Sequence, residues 1–373
     1  MNENQKKIRL ENLNFSSEKP LIIAELGTSH NGDIKKARLM IDAAAEAGAD
    51  CVKFQMVFAD EIIHPNTGEV TLPGGRIRLY DRFKALEMPV EFYIEIKEYT
   101  ESLGLLFLCT PFGLKSASIL RHLQPKFVKI ASPELNFTGL LEEIAGWKMP
   151  VLLSSGVSTL GDIEKAAGIL KTAGNPEICL LHCVTSYPAP ETDYNLRVLP
   201  NLAAIFGVSV GVSDHSSNPE LVPALATALG AAVIEKHFCL SRNDPGLDDP
   251  IALPPDDFLK MTKAVRKAAE RGPQETLAFY RNENGDALVD QILGSGIKEL
   301  APSEKANYRF TNRSIHALRD IAAGEVLKKG DFAVLRTEKN LRPGLDPCRE
   351  KDIEGRTARC FIPAGEGIRF EDI

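Results

Sequence analysis

The chain has 373 residues, 44% of them apolar and 25% charged, with a net charge of −7. That length exceeds one ordinary domain, so a large domain with a small companion is expected. The acidic balance speaks against a nucleic-acid partner, and no apolar stretch reaches the roughly 18–20 residues of a membrane span. The opening MNENQKKIRLENLNF has no apolar core after its charges and does not read as a signal peptide. Seven cysteines without CxxC spacing suggest reduced thiols and a cytoplasmic protein.

Short β-branched runs alternate with stretches of helical period, the signature of parallel α/β architecture. In chain order, strands fall near LIIAEL (21–26), CVKFQM (51–56), LLFLCT (105–110) and KFVKIA (126–131). Four more lie near PVLLSS (150–155), EICLLHC (177–183), VSVGVS (208–213) and AVIEKHF (232–238). Between them sit helix candidates such as DIKKARLMIDAAAEAGAD, where Asp33 caps the start and Gly48 suits the left-handed position past the end. TLGDIEKAAGILKTAG and LVPALATALG are two others. Eight strand–helix units in about 250 residues are the count of a (β/α)8 TIM barrel. The first crossovers alone would also suit a doubly wound sheet. We place the barrel domain at 1–271 and a polar, turn-rich linker with room for one helix at 272–310. Residues 311–373 read as a small, mostly β domain, in which IAAGEVLKKGDF (321–332) is echoed by IPAGEGIRFEDI (362–373). Its core is too small to be very stable alone, so it should dock on something larger.

In such a barrel the reactive groups sit at the carboxyl ends of the strands, and here all eight ends are polar. Glu25 ends the first strand, Lys53 and Gln55 share a face of the second, and Thr110 ends the third. Lys129 interrupts the fourth, followed by Ser132 and Glu134; Ser154 and Ser155 end the fifth. His182, Thr185 and Tyr187 follow the sixth, Ser213, Asp214 and His215 the seventh, and Glu235 and His237 the eighth. A lone serine or threonine at a strand end is usually a turn residue. Two lysines inside apolar strands are harder to dismiss, because an unpaired buried ammonium is costly. Lys53 and Lys129 therefore call for a functional anion or a structural ion pair, unless their stems point outward. With Ser132, Ser154 and Ser213 they form a set suited to phosphate, and Gly156 permits close approach of backbone N–H groups. Glu25 and Glu134 are suited to orient hydroxyls or transfer protons. His215 and His237, on adjacent strands, are candidates to hold a divalent ion; hydrogen-bonded core or loop histidines are the alternative.

The ordered segments IIAELGTSHNGDIKKARLMIDAAAEAGADCVKFQ, TPF (110–112), VKIASPELNFTGLL, LLSSGVSTLGDIEKA, LHCVTSYPAP, GVSDHSS and LGAAVIEKHFCLSRNDPGLD resemble the sialic acid (N-acetylneuraminate) synthase family. The terminal residues 311–373 resemble the antifreeze-protein-like domain that follows the barrel there. The resemblance implies condensation of phosphoenolpyruvate with N-acetylmannosamine or a related amino sugar, giving N-acetylneuraminate and phosphate. A legionaminic or pseudaminic acid synthase using a 2,4-diacetamido sugar is one alternative, and a sugar-binding barrel without turnover is another.

By the same resemblance, Lys53, Lys129, Ser132, Ser154, Thr185 and Ser213 contact phosphoenolpyruvate. Gln55, Thr110, Tyr187, Asp248 and Arg313 contact the sugar, and Glu25, Glu134, His215 and His237 serve catalysis. The two histidines would ligate a divalent cation, manganese or magnesium, that polarises the sugar aldehyde. Arg313 would reach from one subunit into its partner's barrel mouth, in a homodimer with exchanged terminal domains. Three departures lie near the sugar. Thr185 stands where members often carry asparagine, PGLDDP keeps Asp248 among changed neighbours, and VTLPGGRIRLYDRF offers Gly74, Gly75 and Arg76. They leave the acceptor more open than the reaction.

Overall fold

The computed structural model describes residues 7–10, 13–72, 75–172 and 177–373; Gly74 lies outside them. Eight parallel strands form one sheet: β1 (Leu21–Gly27), β2 (Cys51–Met56), β3 (Leu106–Pro111), β4 (Val128–Ile130), β5 (Val151–Ser154), β6 (Ile178–Cys183), β7 (Ser209–Asp214) and β8 (Val233–His237). The spatial order is β3-β2-β1-β8-β7-β6-β5-β4, and β3 packs beside β4 at the seam. The sheet is a TIM-like barrel, not a doubly wound sheet. The first crossover helix, Ile34–Glu46, begins at Asp33, whose carboxylate accepts from the N–H groups of Lys35 and Lys36. It ends before Gly48, at φ +85°.

The strands alternate, with one register irregularity between Glu25 and Gly27 where β1 pairs with β2. Ile22, Ala24, Val52, Phe54, Phe107 and Ile234 face the helix layer. Leu21, Ile23, Cys51, Leu108 and Val233 face inward and pack against Ile8 and Phe15 of the hairpin Ile8–Leu10/Leu13–Phe15. The inward row then turns polar toward the carboxyl ends. Glu25 is level with Lys53, Gln55 with Thr110, Ser213 with Glu235, and His237 with Glu25. A one-residue slip of β2 would put Lys53 and Gln55 into the apolar helix layer, so burial on both faces pins the register.

Residues 272–310 hold two helices, Pro273–Asn284 and Asp286–Leu293, parted at Gly285 with φ +83°. Val289, Ile292 and Leu293 are buried, and the carbonyls of Ile292 and Leu293 accept from the N–H groups of Leu196 and Arg197. The segment thus packs along the barrel. Its apolar side is one narrow stripe among polar residues, which is why composition alone suggested a linker.

In the terminal part, β9 (Arg313–Ala317) pairs antiparallel with β10 (Phe332–Arg336). The internal echo is structural: Ile321 and Ile362 exchange two backbone hydrogen bonds of 2.9 Å. The domain sits on the mouth of its own barrel. Arg336 bridges to Ile63, and the Asn340 side chain donates to Thr67 O and Glu69 O at 2.7 Å each. At the centre of this contact is Arg313, 2% exposed. Its Nε and Nη2 donate to Glu134 Oε1 at 3.0 and 2.8 Å, and its other donors reach the carbonyls of Phe112, Glu61 and Ile62.

Removing one member of a buried ion pair costs about 3–5 kcal/mol, and Arg336 still faces Glu134, so Arg313→Leu should lie near the lower figure. Urea unfolding read by a probe in the terminal domain should show that domain leaving before the barrel melts. One transition at the wild-type midpoint would remove Arg313 from this role.

Candidate active site

A cavity of about 740 Å³ opens where the strand ends meet the terminal domain. Its floor is built on a buried charge cluster. Glu235 Oε1 accepts from Lys53 Nζ at 2.8 Å, Lys129 Nζ at 2.9 Å and Ser213 Oγ at 2.8 Å. Lys53 also lies 3.2 Å from Glu25 Oε2, and Gln55 Nε2 donates to Glu25 Oε1 at 2.7 Å. Both lysines therefore point inward, and within the chain their anions are Glu235 and Glu25.

The environment separates the two carboxylates. Burial opposes the charge on Glu235, but Lys129 and Lys53 outweigh it and hold the group well below the usual carboxylate range. Burial lifts Glu25 to about 7, against the pull of Lys53. Burial likewise depresses Lys129, whereas for Lys53 it is overcome by Glu235 and Glu25 and the pKa rises.

Above this cluster the floor carries hydroxyls. Thr110 Oγ1, Ser154 Oγ and Thr185 Oγ1 are buried with no hydrogen-bond partner among the described residues. Ser132 Oγ accepts from Gly156 N–H at 3.0 Å. A Cβ at residue 156 would collide with Thr185 Oγ1 and Ser132 Oγ, so only glycine brings these loops together. Buried hydroxyls are normally satisfied. Three unsatisfied ones beside two ammonium groups describe a cradle for an anion with several oxygens.

One wall is aromatic. Tyr187 stacks on His215 with ring centroids 4.3 Å apart, and His215 lies 5.4 Å from His237. His215 Nδ1 is 2.9 Å from Val184 O, which makes it the donor and leaves Nε2 with its lone pair, 3.4 Å from Tyr187 OH. Burial holds His237 neutral, with Nδ1 3.8 Å from Asp248 Oδ2. Burial raises Asp248 to about 6. No group of three His, Cys, Asp or Glu is poised around one point among the described residues. The donor set fits a divalent ion held by two imidazoles whose other ligands are oxygens of substrate or water.

Of the residues singled out in the sequence, Glu25, Lys53, Gln55, Thr110, Lys129, Ser132, Ser154, Thr185, Tyr187, Ser213, His215, His237 and Asp248 line this cavity. Glu134 and Arg313 do not: they are locked in their own ion pair, each fully buried. His182 is a core histidine, with Nε2 2.6 Å from Tyr194 O. Asp214 pairs with Lys236 at 2.6 Å and leaves the second nitrogen of His215 to Val184. Sequence reasoning gave Glu235 no role, although its two-residue spacing from His237 puts both on the inner face. Arg336 and Glu338 also line the cavity. They come from the terminal domain, and nothing local in FAVLRTEKN says where that strand docks.

Residues 40–274 match the NeuB family and residues 312–373 a SAF domain. The chain is 36% identical over 355 residues to the spore coat polysaccharide biosynthesis protein SpsE of Bacillus subtilis (strain 168), spanning 94% of this chain and 93% of that protein. The crystal structure of that protein matches 99% of both chains with a TM-score of 0.82 and 34% identity. An N,N'-diacetyllegionaminic acid synthase of Campylobacter jejuni is 33% identical over 94% of this chain and 99% of its own. The N-acetylneuraminic acid synthetase of Leptospira borgpetersenii, solved with citrate, is 32% identical with a TM-score of 0.65, over 81% of this chain and 95% of that one. The chain therefore belongs to the NeuB family, whose sialic, legionaminic and pseudaminic acid synthases are among its relatives, and it carries a SAF domain at its carboxyl end.

Proposed function

We propose that this protein condenses phosphoenolpyruvate with the open-chain form of N-acetylmannosamine, forming N-acetylneuraminate and releasing phosphate. The observation that carries the reading is the floor of the cavity, where Lys53 and Lys129 stand beside the unpartnered hydroxyls of Thr110, Ser154 and Thr185. Phosphoenolpyruvate brings a phosphate and a carboxylate, enough acceptor oxygens to satisfy that set. The cavity volume lies in the range of small-molecule sites and leaves room for a hexosamine above the floor.

The methylene carbon of phosphoenolpyruvate forms a bond to the aldehyde carbon of the sugar, whose oxygen takes up a proton. Water adds to the former enol carbon, and the C–O bond to phosphate breaks. Lys53, Lys129 and Ser213 hold the donor's anionic groups in place. Glu25, with a pKa near neutrality, is poised to hold or give up a proton between Lys53 and Gln55. Tyr187 and Asp248 close the wall against which the sugar chain extends. A divalent cation on His215 and His237, manganese or magnesium, would supply Lewis-acid polarisation of the aldehyde. Nothing in the scheme requires a covalent bond to either lysine.

A second acceptor has specific support. The Campylobacter jejuni relative, matched over nearly its full length, is named for N,N'-diacetyllegionaminic acid, which favours a 2,4-diacetamido sugar. Phosphate release from phosphoenolpyruvate across a panel of amino sugars separates the readings. Release with N-acetylmannosamine supports the first, and preference for a diacetamido hexose moves the product assignment. No release with any sugar, with manganese present, sinks the enzymatic reading.

Lys129→Met removes one of the two cations facing the anion cradle. A loss of about 100-fold in kcat/KM, or roughly 3 kcal/mol, is expected for a truncated buried charge contact. The loss should appear against phosphoenolpyruvate in steady-state kinetics; unchanged kinetics would take Lys129 out of the donor site.

Chelator-treated protein should stop releasing phosphate and recover on addition of manganese or magnesium. His215→Ala should stay folded but not recover. Wild-type rates in that variant after chelation would contradict the ligand role.

A further inference from the structure

Behind the floor lies a carboxylate that does not line the cavity. Glu304, 1% exposed, sits in the segment that joins the barrel to the terminal domain. Its Oε2 accepts from the N–H of Val157 at 3.0 Å and from the N–H of Thr185 at 2.9 Å. These residues belong to different loops, after β5 and after β6. The carbonyls of the same two residues are held by close neighbours of Glu304 in the chain, one in this segment and one at the start of the terminal domain. Asn312 Nδ2 donates to Val157 O at 3.2 Å, and Asn307 Nδ2 donates to Thr185 O at 2.7 Å. Both peptide faces of each loop are thus fixed by three side chains within nine residues of chain.

The geometry enforced at Val157 is one the residue would not adopt alone. Its φ is +43°, left-handed backbone that a β-branched residue avoids. Such conformations persist where the surroundings over-determine them, and they gather at functional sites. Here the turn presents Gly156 N–H to Ser132 Oγ and seats Gly156 against Thr185 Oγ1. Ser132, Gly156 and Thr185 behave as one packed unit, and Glu304 anchors it from the side away from the cavity. A buried carboxylate does this better than a neutral acceptor, because hydrogen bonds to a charged oxygen are roughly twice as strong.

We infer that Glu304 is a positioning residue that fixes the spacing of two loops at the anion cradle, the one that follows Ser154 and the one that carries Thr185. The inference rests on the reading that those loops receive phosphoenolpyruvate. It also gives the inter-domain segment a task in the site beyond connecting two domains.

The test compares Glu304→Ala and Glu304→Gln in the full-length protein. Glutamine keeps one oxygen able to accept both N–H groups; alanine keeps none. Amide hydrogen exchange should show the loops around Val157 and Thr185 losing protection in Glu304→Ala while the other barrel strands keep theirs, with most of the protection restored in Glu304→Gln. In steady state, KM for phosphoenolpyruvate should rise at least about tenfold in Glu304→Ala, as for a reacting group displaced by a fraction of an ångström. KM for the sugar should stay within about twofold, and Glu304→Gln should recover most of the loss. Wild-type protection of both loops in Glu304→Ala would overturn the inference, and so would an unchanged KM for phosphoenolpyruvate, or equal loss of both KM values without rescue by glutamine. Wild-type protein that neither binds phosphoenolpyruvate by calorimetry nor turns it over would instead defeat the proposed function. The exchange experiment would still decide whether Glu304 holds the loops.

Discussion

Two ammonium groups share one carboxylate oxygen in the middle of the barrel, and much of the structure is arranged around that fact. Lys53, Lys129 and Glu235 stand on β2, β4 and β8, and their side chains meet across the interior. Taking these charges out of water costs several kcal/mol each, which their mutual attraction offsets only when geometry and hydrogen bonding are good. The layers below answer that demand. The inward apolar row and the amino-terminal hairpin keep water from the lower barrel, and the alternation of inward and outward residues along the strands keeps the register from slipping. The cluster is nearly complete without a ligand, yet the hydroxyls around it are not. Fixed charge is therefore in place before any anion arrives, and an anion with several oxygens would complete the hydrogen bonding. That is electrostatic preorganisation read from unsatisfied atoms.

The barrel was legible because its signals are local. β-branched runs, a side-chain period of two and the polar residue at each strand end all lie within a few residues of chain. They were enough to point Lys53 and Gln55 to one face and to raise His215 and His237 together. What escaped was pairing across the fold. Glu235 looked like one more polar strand end until three donors from three other strands were seen to converge on it. Glu134 looked like a cavity acid for the same reason. Only the docked terminal domain shows its Oε1 taken by Arg313 and Arg336. The helices of 273–293 were hidden differently, by a narrow apolar stripe in polar sequence whose burial depends on a barrel surface built a hundred residues earlier.

The terminal domain and the segment leading to it act on the cavity from two sides. From outside, Arg336 and Glu338 reach over the mouth, with Glu338 and Lys339 both at positive φ (48° and 64°) in the turn that carries them. From behind, Glu304 and Asn312 hold the loops after β5 and β6, and Asn307, at the cavity lining, holds the second of them through Thr185 O. The barrel alone therefore specifies the strands and the charge cluster, but not the finished shape of the loops or the rim. A chain cut after residue 271 would keep Lys53, Lys129 and Glu235 while releasing the backbone around Gly156 and Thr185.

This division explains why relatives named for different sugars match the chain almost equally well. The floor is made by strand residues whose register the whole barrel enforces, so it tolerates little change. The rim is made by the strand pair Glu69–Leu72/Gly75–Arg78 and the turn 336–340, which meet through Asn340 and take no part in the barrel's strand pairing. On the proposed reading, phosphoenolpyruvate is bound by the floor and the substituents of the sugar are met by the rim. Identity summed over the whole chain is weighted toward the barrel and its helices, so it reports the donor chemistry well and the acceptor poorly. The side chains that discriminate one amino sugar from another should be sought at Arg76, Arg336 and Glu338. These are charged groups at the cavity edge that the buried ion-pair network of the floor does not employ.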